Sequence, residues 1–143
     1  MSEPRGLSIS QLMELSLCSM LDVGKIDPFE KEFYFARDEL KRQWRFDFAW
    51  PEKKIALEVE GGVHQGPSRH MSPWGFIGDL HKYNTAAIMG WTVLRVDSSL
   101  IRKGYALEYI MDLLNGNGTP TLRVQPGSNG RVYLRSSMRN FHK

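Results

Sequence analysis

Two alternating segments joined by four residues constrain this chain most: Trp44–Trp50 and Ile55–Glu60, on either side of Pro51-Glu52-Lys53-Lys54. Trp44, Phe46, Phe48 and Trp50 point one way along the first, and Arg45, Asp47 and Ala49 the other. Ile55, Leu57 and Val59 alternate in the same manner with Ala56, Glu58 and Glu60. A period of two is the signature of a half-buried strand, and a proline followed by charges is a turn. Closing the hairpin with Trp50 opposite Ile55 sets the register. Asp47 then falls opposite Glu58, and Arg45 opposite Glu60. In that register Asp47, Glu58 and Glu60 share one face of the sheet, with opposed Cβ atoms about 5 Å apart.

Carboxylates so close repel unless a positive group lies between them. A hard divalent cation with a preference for oxygen, Mg²⁺ or Mn²⁺, suits that place, and Asp47, Glu58 and Glu60 are its candidate ligands. The plainer reading is a solvated face in which Arg45 neutralises Glu60. The downstream residues favour the metal. Gly61-Gly62 ends the strand and can turn His64 back toward the acids. The loop to Pro73 carries Arg69, a candidate phosphate contact, and His70, read as structural. Asp79, Lys82 and Tyr83 then follow at helical spacing, so one helix face offers both an acid and a cation.

The rest of the pattern surrounds this hairpin. Ser8–Met20 reads as an amphipathic helix with Leu12, Leu15 and Ser19 on one face and a serine cap. Glu32–Ala36 reads as a short strand with Phe33 and Phe35 on one side, and Arg37–Arg42 as a charged turn. Trp74–Met89 reads as a helix with Phe76, Leu80, Tyr83 and Ala87 on one face, stopped by Gly90. A strand follows at Trp91–Val96 and a closing helix at Leu100–Leu114. Helix, three-strand meander, helix, strand and helix make an α/β protein with a mixed sheet flanked by helices.

The chain has 143 residues, enough for one compact domain, taken as 1–115. No apolar run reaches bilayer length, and a single cysteine, Cys18, excludes an internal disulfide. Cys18 is read as a small core residue of a reducing, cytoplasmic setting. Charge is unevenly spread. No Asp or Glu follows Asp112, and Arg123, Arg131, Arg135, Arg139 and Lys143 give the tail +5, leaving −2 for the remainder of the net +3. Residues 116–143 therefore read as a basic arm, with Thr121–Val124 and Arg131–Leu134 flanking Asn129-Gly130 as a hairpin. Such an arm suits nucleic acid, and Arg69, Lys82, Arg123, Arg131, Arg135 and Arg139 are its candidate contacts.

Asp47, Glu58-Val59-Glu60-Gly61, His64, Asp79-Leu80-His81-Lys82-Tyr83-Asn84 and Gly90-Trp91-Thr92-Val93-Leu94-Arg95 together resemble the PD-(D/E)XK nuclease superfamily. The likeness is nearest its very-short-patch-repair-like branch of phage and homing endonucleases, with an E-D-x-H-D motif, and covers about two-thirds of the chain. It implies a restriction-endonuclease-like core and a metal-dependent endonuclease acting on DNA, in a bacterial or phage-infected cell. By that resemblance Asp47 and Glu58 hold the metal, and His64 and Asp79 match the later motif positions. Glu14 matches the leading glutamate, with Glu32 as competitor. Glu60 stands where the superfamily usually has lysine, so His64, Lys82 or a metal-bound water must replace it. Double-stranded DNA is the expected partner, and a homodimer is compatible with the sequence. The alternatives are an inactive DNA-binding module on the same fold and an RNA nuclease.

Overall fold

The structure is a computed structural model that describes residues 6–61, 73–118, 123–126 and 132–135. It is an α/β protein. Its elements run α1 (Ile9–Asp22), β1 (Glu30–Tyr34), α2 (Arg37–Leu40), β2 (Arg45–Trp50), β3 (Ile55–Val59), α3 (Pro73–Ile88), β4 (Thr92–Val96), α4 (Ser98–Arg102), α5 (Tyr105–Leu114), β5 (Arg123–Pro126) and β6 (Val132–Arg135). The first four strands form one mixed sheet in sequence order, β1-β2-β3-β4. The β1–β2 and β2–β3 pairs are antiparallel, while β3 and β4 are parallel. A parallel pair needs a crossover, and α3 supplies it.

The hairpin closes as its spacing requires, with Trp50 opposite Ile55, Ala49 opposite Ala56 and Phe48 opposite Leu57. The Pro51–Lys54 turn is held by Lys53 N–H donating to the Trp50 carbonyl and Lys54 N–H to that of Pro51. Alternation from these pairs sends side chains to two separate cores. Phe48, Trp50, Ile55 and Leu57 pack with Met13 and Leu17 of α1, Ile101 of α4 and Ile110 of α5. Ala49 and Ala56 face the other way, toward Ala86 of α3 and Trp91. Small residues there let α3 approach the sheet closely.

α1 begins at a capping box: the Ser8 hydroxyl accepts from Gln11 N–H, and the Gln11 side chain accepts from Ser8 N–H. Its inward face differs from the expected Leu12-Leu15-Ser19 row. Met13 and Leu17 are buried and Leu15 is 48% exposed. Ile9, Leu12, Met13, Leu17, Met20 and Leu21 form a wider apolar stripe, and that stripe decides the docking angle. Cys18 is half-buried.

α3 differs in the same way. Phe76 and Leu80, expected inside, are 57% and 46% exposed, and the buried residue is Ala86. The expected closing helix is divided into α4 and α5 at Gly104, whose φ of 84° is left-handed and suits glycine. β5 and β6 pair antiparallel as a separate two-stranded sheet, with Arg123 opposite Arg135. Among the described residues no helix is long and apolar enough to cross a membrane.

Candidate active site

Asp47 lies where the sheet is interrupted on both sides. Regular β2–β3 pairing runs only from Trp50↔Ile55 to Phe48↔Leu57. On the other side, Lys31↔Phe48 and Phe33↔Phe46 flank Glu32, whose φ of 53° is left-handed. The Asp47 side chain fills the gap: its Oδ2 accepts from Val59 N–H at 2.7 Å. A carboxylate thus takes the place of a strand carbonyl, which joins Asp47 rigidly to β3 next to Glu58.

The same irregularity breaks the alternation of β2. Phe46, expected on the face of Phe48 and Trp50, instead packs with Phe35, Ala49, Ala56 and Trp91. Its ring stacks on Phe35 with centroids 4.2 Å apart. Phe46 and Asp47, adjacent in sequence, both serve the α3 side of the sheet.

α3 closes over this point. Asp47 and Glu58 line a cleft of about 450 Å³ with Gly75, Gly78, Asp79 and Lys82 of α3 and Gln43, Trp44 and Arg45 at its rim. Gly75, Gly78-Asp79 and Lys82 recur at helical spacing, so α3 turns two glycines, an acid and a cation inward. Lys82 Nζ donates to Glu58 Oε1 at 2.7 Å, with both side chains largely buried. The ammonium also lies 5.6 Å from the Phe46 ring centroid and 5.2 Å from that of Tyr83.

Burial dominates the electrostatics. It pushes the Glu58 carboxyl up to about 7, against the Lys82 hydrogen bond and charge, while the charges of Asp47 and Glu60 add to the rise. Asp47 is also raised, chiefly by burial, and the Val59 N–H and Lys82 oppose the shift. Burial, followed by the charges of Glu58 and Glu60, likewise raises the Tyr83 hydroxyl.

The structure brings together Asp47, Glu58, Asp79 and Lys82 and separates others from them. Glu60, expected opposite Arg45, has another partner. Arg95 Nε donates to Glu60 Oε1, and the Arg95 guanidinium stacks 4.3 Å over Tyr83. Arg45 pairs with Glu32 at 2.8 Å. The cause is β4: parallel pairing places Arg95 beside Glu58, within reach of the next acid on the chain. Glu14 is held by Lys31 at 3.0 Å, on the α1 that covers the opposite core, so it does not join the cleft. Glu32, its competitor, lies near enough to raise the Asp47 carboxyl by its charge.

His64, Arg69, His70, Arg131 and Arg139 lie outside the described residues, and Arg123 and Arg135 are placed by backbone register alone. The rim residues Gln43 and Trp44 were not expected at the site, because strand periodicity does not show that helix α3 leaves that end open. A scan against protein-family models matched none, and searches of curated proteins and of solved structures likewise found no match.

Proposed function

We propose that this chain is a metal-dependent endonuclease that hydrolyses phosphodiester bonds in DNA on a restriction-endonuclease-like core. The observation that carries the reading is the convergence of Asp47 and Glu58, from neighbouring strands, with the Lys82 ammonium in one cleft.

Among the described residues no three acids, histidines or cysteines are grouped to cage a metal. Magnesium does not ask for a cage: it is usually held by one or two carboxylates, with water and phosphate oxygens completing an octahedron. Asp47 and Glu58 fit that set, and Glu60, engaged by Arg95, is left out of it. Bound there, Mg²⁺ or Mn²⁺ would acidify a coordinated water and polarise the scissile phosphate.

The remaining tasks fall to the chain. The Val59 N–H fixes the Asp47 carboxylate in one orientation. Lys82 brings positive charge into a cleft of low dielectric, where it stabilises the negative charge that grows on a phosphate under attack. It thereby takes the part of the lysine that Glu60 replaces. Asp79, on the same α3 face, lines the cleft beside Lys82. His64 stays in this proposal as the proton-transfer candidate.

Cleavage of supercoiled plasmid, linear duplex and RNA with Mg²⁺, Mn²⁺, Ca²⁺ or excess chelator tests the reading. Turnover is expected with Mg²⁺ or Mn²⁺ only, with loss in Asp47→Asn and Glu58→Gln. Lys82→Ala should slow the chemical step by about 10²–10³-fold, the size of one lost transition-state donor. Full activity in chelator overturns the mechanism. DNA binding without cleavage identifies an inactive module, and cleavage of RNA alone an RNA nuclease.

A further inference from the structure

The cations lining or adjoining the cleft are paired: Lys82 with Glu58, Arg45 with Glu32, Arg95 with Glu60. Arg37, Lys41 and Arg42 differ. They are exposed, and among the described residues they enter no ion pair. All three belong to α2 and the connection into β2, which continues directly into the cleft-lining residues Gln43, Trp44 and Arg45. We propose that Arg37, Lys41 and Arg42 form a phosphate track that seats the backbone of double-stranded DNA at the mouth of the cleft, an inference that rests on the nuclease reading of that cleft.

Three observations carry it. First, positive charge predominates here: Arg37, Lys41 and Arg42 against Asp38 and Glu39 give +1 over six residues, next to a cleft whose own cations are each paired. Second, the two arginines are pre-ordered. The Arg37 guanidinium lies 3.7 Å over the Tyr34 ring, and that of Arg42 lies 5.2 Å over Trp44. Ring stacking holds a guanidinium while leaving its N–H donors directed outward, so less side-chain freedom is lost when a phosphate binds. Third, Lys41 takes a left-handed conformation, φ 57° and ψ 31°, to end α2. Glycine is the usual residue there. A lysine at a strained position points to a use for its side chain.

The same rings argue for duplex. Proteins that grip single strands leave aromatic faces open for bases to stack on. Trp44 is instead engaged by Arg42 at 5.2 Å and by Phe35, stacked with centroids 6.3 Å apart, and Tyr34 carries Arg37. What this edge offers is fixed positive charge, the means by which proteins grip a duplex backbone without reading its sequence.

The test is binding of a short fluorescein-labelled duplex by anisotropy, in chelator, across a salt titration. Each phosphate that is no longer neutralised should reduce the slope of log affinity against log salt by about 0.9, so Lys41→Ala/Arg42→Ala should lower it by about 1.8. The charge-matched control Lys25→Ala/Lys103→Ala, in the connections after α1 and α4, should keep the parent slope. Lys41→Gly should melt at or above the parent temperature, because glycine relieves the left-handed strain, and should still bind DNA less tightly. A parent slope in Lys41→Ala/Arg42→Ala, an equal loss in the control, or parent protein that prefers the single strand of the same sequence overturns the track. Cleavage in Mg²⁺ is read separately. Binding that depends on the track without any cleavage by the parent supports the track and removes the nuclease reading. Cleavage by the parent with an unchanged slope in the double variant does the reverse.

Discussion

Asp47 has two tasks, and substitutions separate them. It accepts the Val59 N–H and it offers charge to the cleft. Asparagine keeps an oxygen for Val59, so Asp47→Asn should fold with a near-parent melting temperature and show no cleavage. Asp47→Ala leaves a half-buried N–H without its acceptor and should cost about 1–3 kcal/mol in addition; urea unfolding of the two variants checks the difference. Glu58 gives the pH dependence. Its folded pKa of about 7 stands above the unfolded value of 4.5. A raised carboxyl contributes stability that is full below 4.5 and is lost as pH rises through 7. Thermal melts without divalent ions should therefore show Glu58→Gln gaining on the parent between pH 5 and pH 8. A divalent ion bound by Asp47 and Glu58, as proposed, would displace the Glu58 proton, so Mg²⁺ should stabilise the parent more at pH 8 than at pH 6 and leave Glu58→Gln nearly unmoved.

At the scale of elements, the interruption of β2 and the division of α4 from α5 decide what the sheet presents. Phe46 is fully buried, in a cluster with Phe35 and Trp91 that supports the strand carrying Asp47. Phe46→Ala should cost about 3–5 kcal/mol, measured by denaturant unfolding. Because the Lys82 ammonium also lies over that ring, cleavage should fall in conditions where the variant is still folded. Gly104 lets α5 leave α4 at φ 84°. Gly104→Ala should destabilise by about 1–2 kcal/mol, the cost of a left-handed Cβ, with little change in activity because that turn belongs to the other face of the sheet.

Across the whole molecule the charge is divided between a body of −2 and a tail of +5. Residues 116–143 hold the separate β5–β6 hairpin, and the mixed sheet and its two cores are built from residues before them. Deleting 116–143 should leave the melting temperature of the body close to the parent's. It should weaken duplex binding and flatten its salt dependence by about 0.9 for each phosphate the arm neutralises. An unfolded product, or unchanged affinity and slope, argues against a nucleic-acid arm.

The sequence alone determined what depends on near neighbours. The Trp50↔Ile55 register, a serine cap on α1, the helix that precedes β4 and the +5 tail all follow from turn length, side-chain period and local chemistry. Asp47, Glu58, Asp79 and Lys82 were likewise legible, because two strands joined by a short turn, and a helix spaced at three and four residues, fix their relative positions. What lay outside that reach was decided by contacts distant along the chain. Glu60 goes to Arg95 because β4 pairs beside β3, a neighbour 35 residues away. Phe46 crosses to the α3 side because Glu32 and Asp47 interrupt both ladders, and strand alternation holds only where the ladder is continuous. The inner row of α3 departs from its apolar pattern for a related reason. A helix docks on the face that fits its partner, and against Ala49, Ala56, the buried Glu58 and the half-buried Asp47 the face that fits is small and polar rather than apolar.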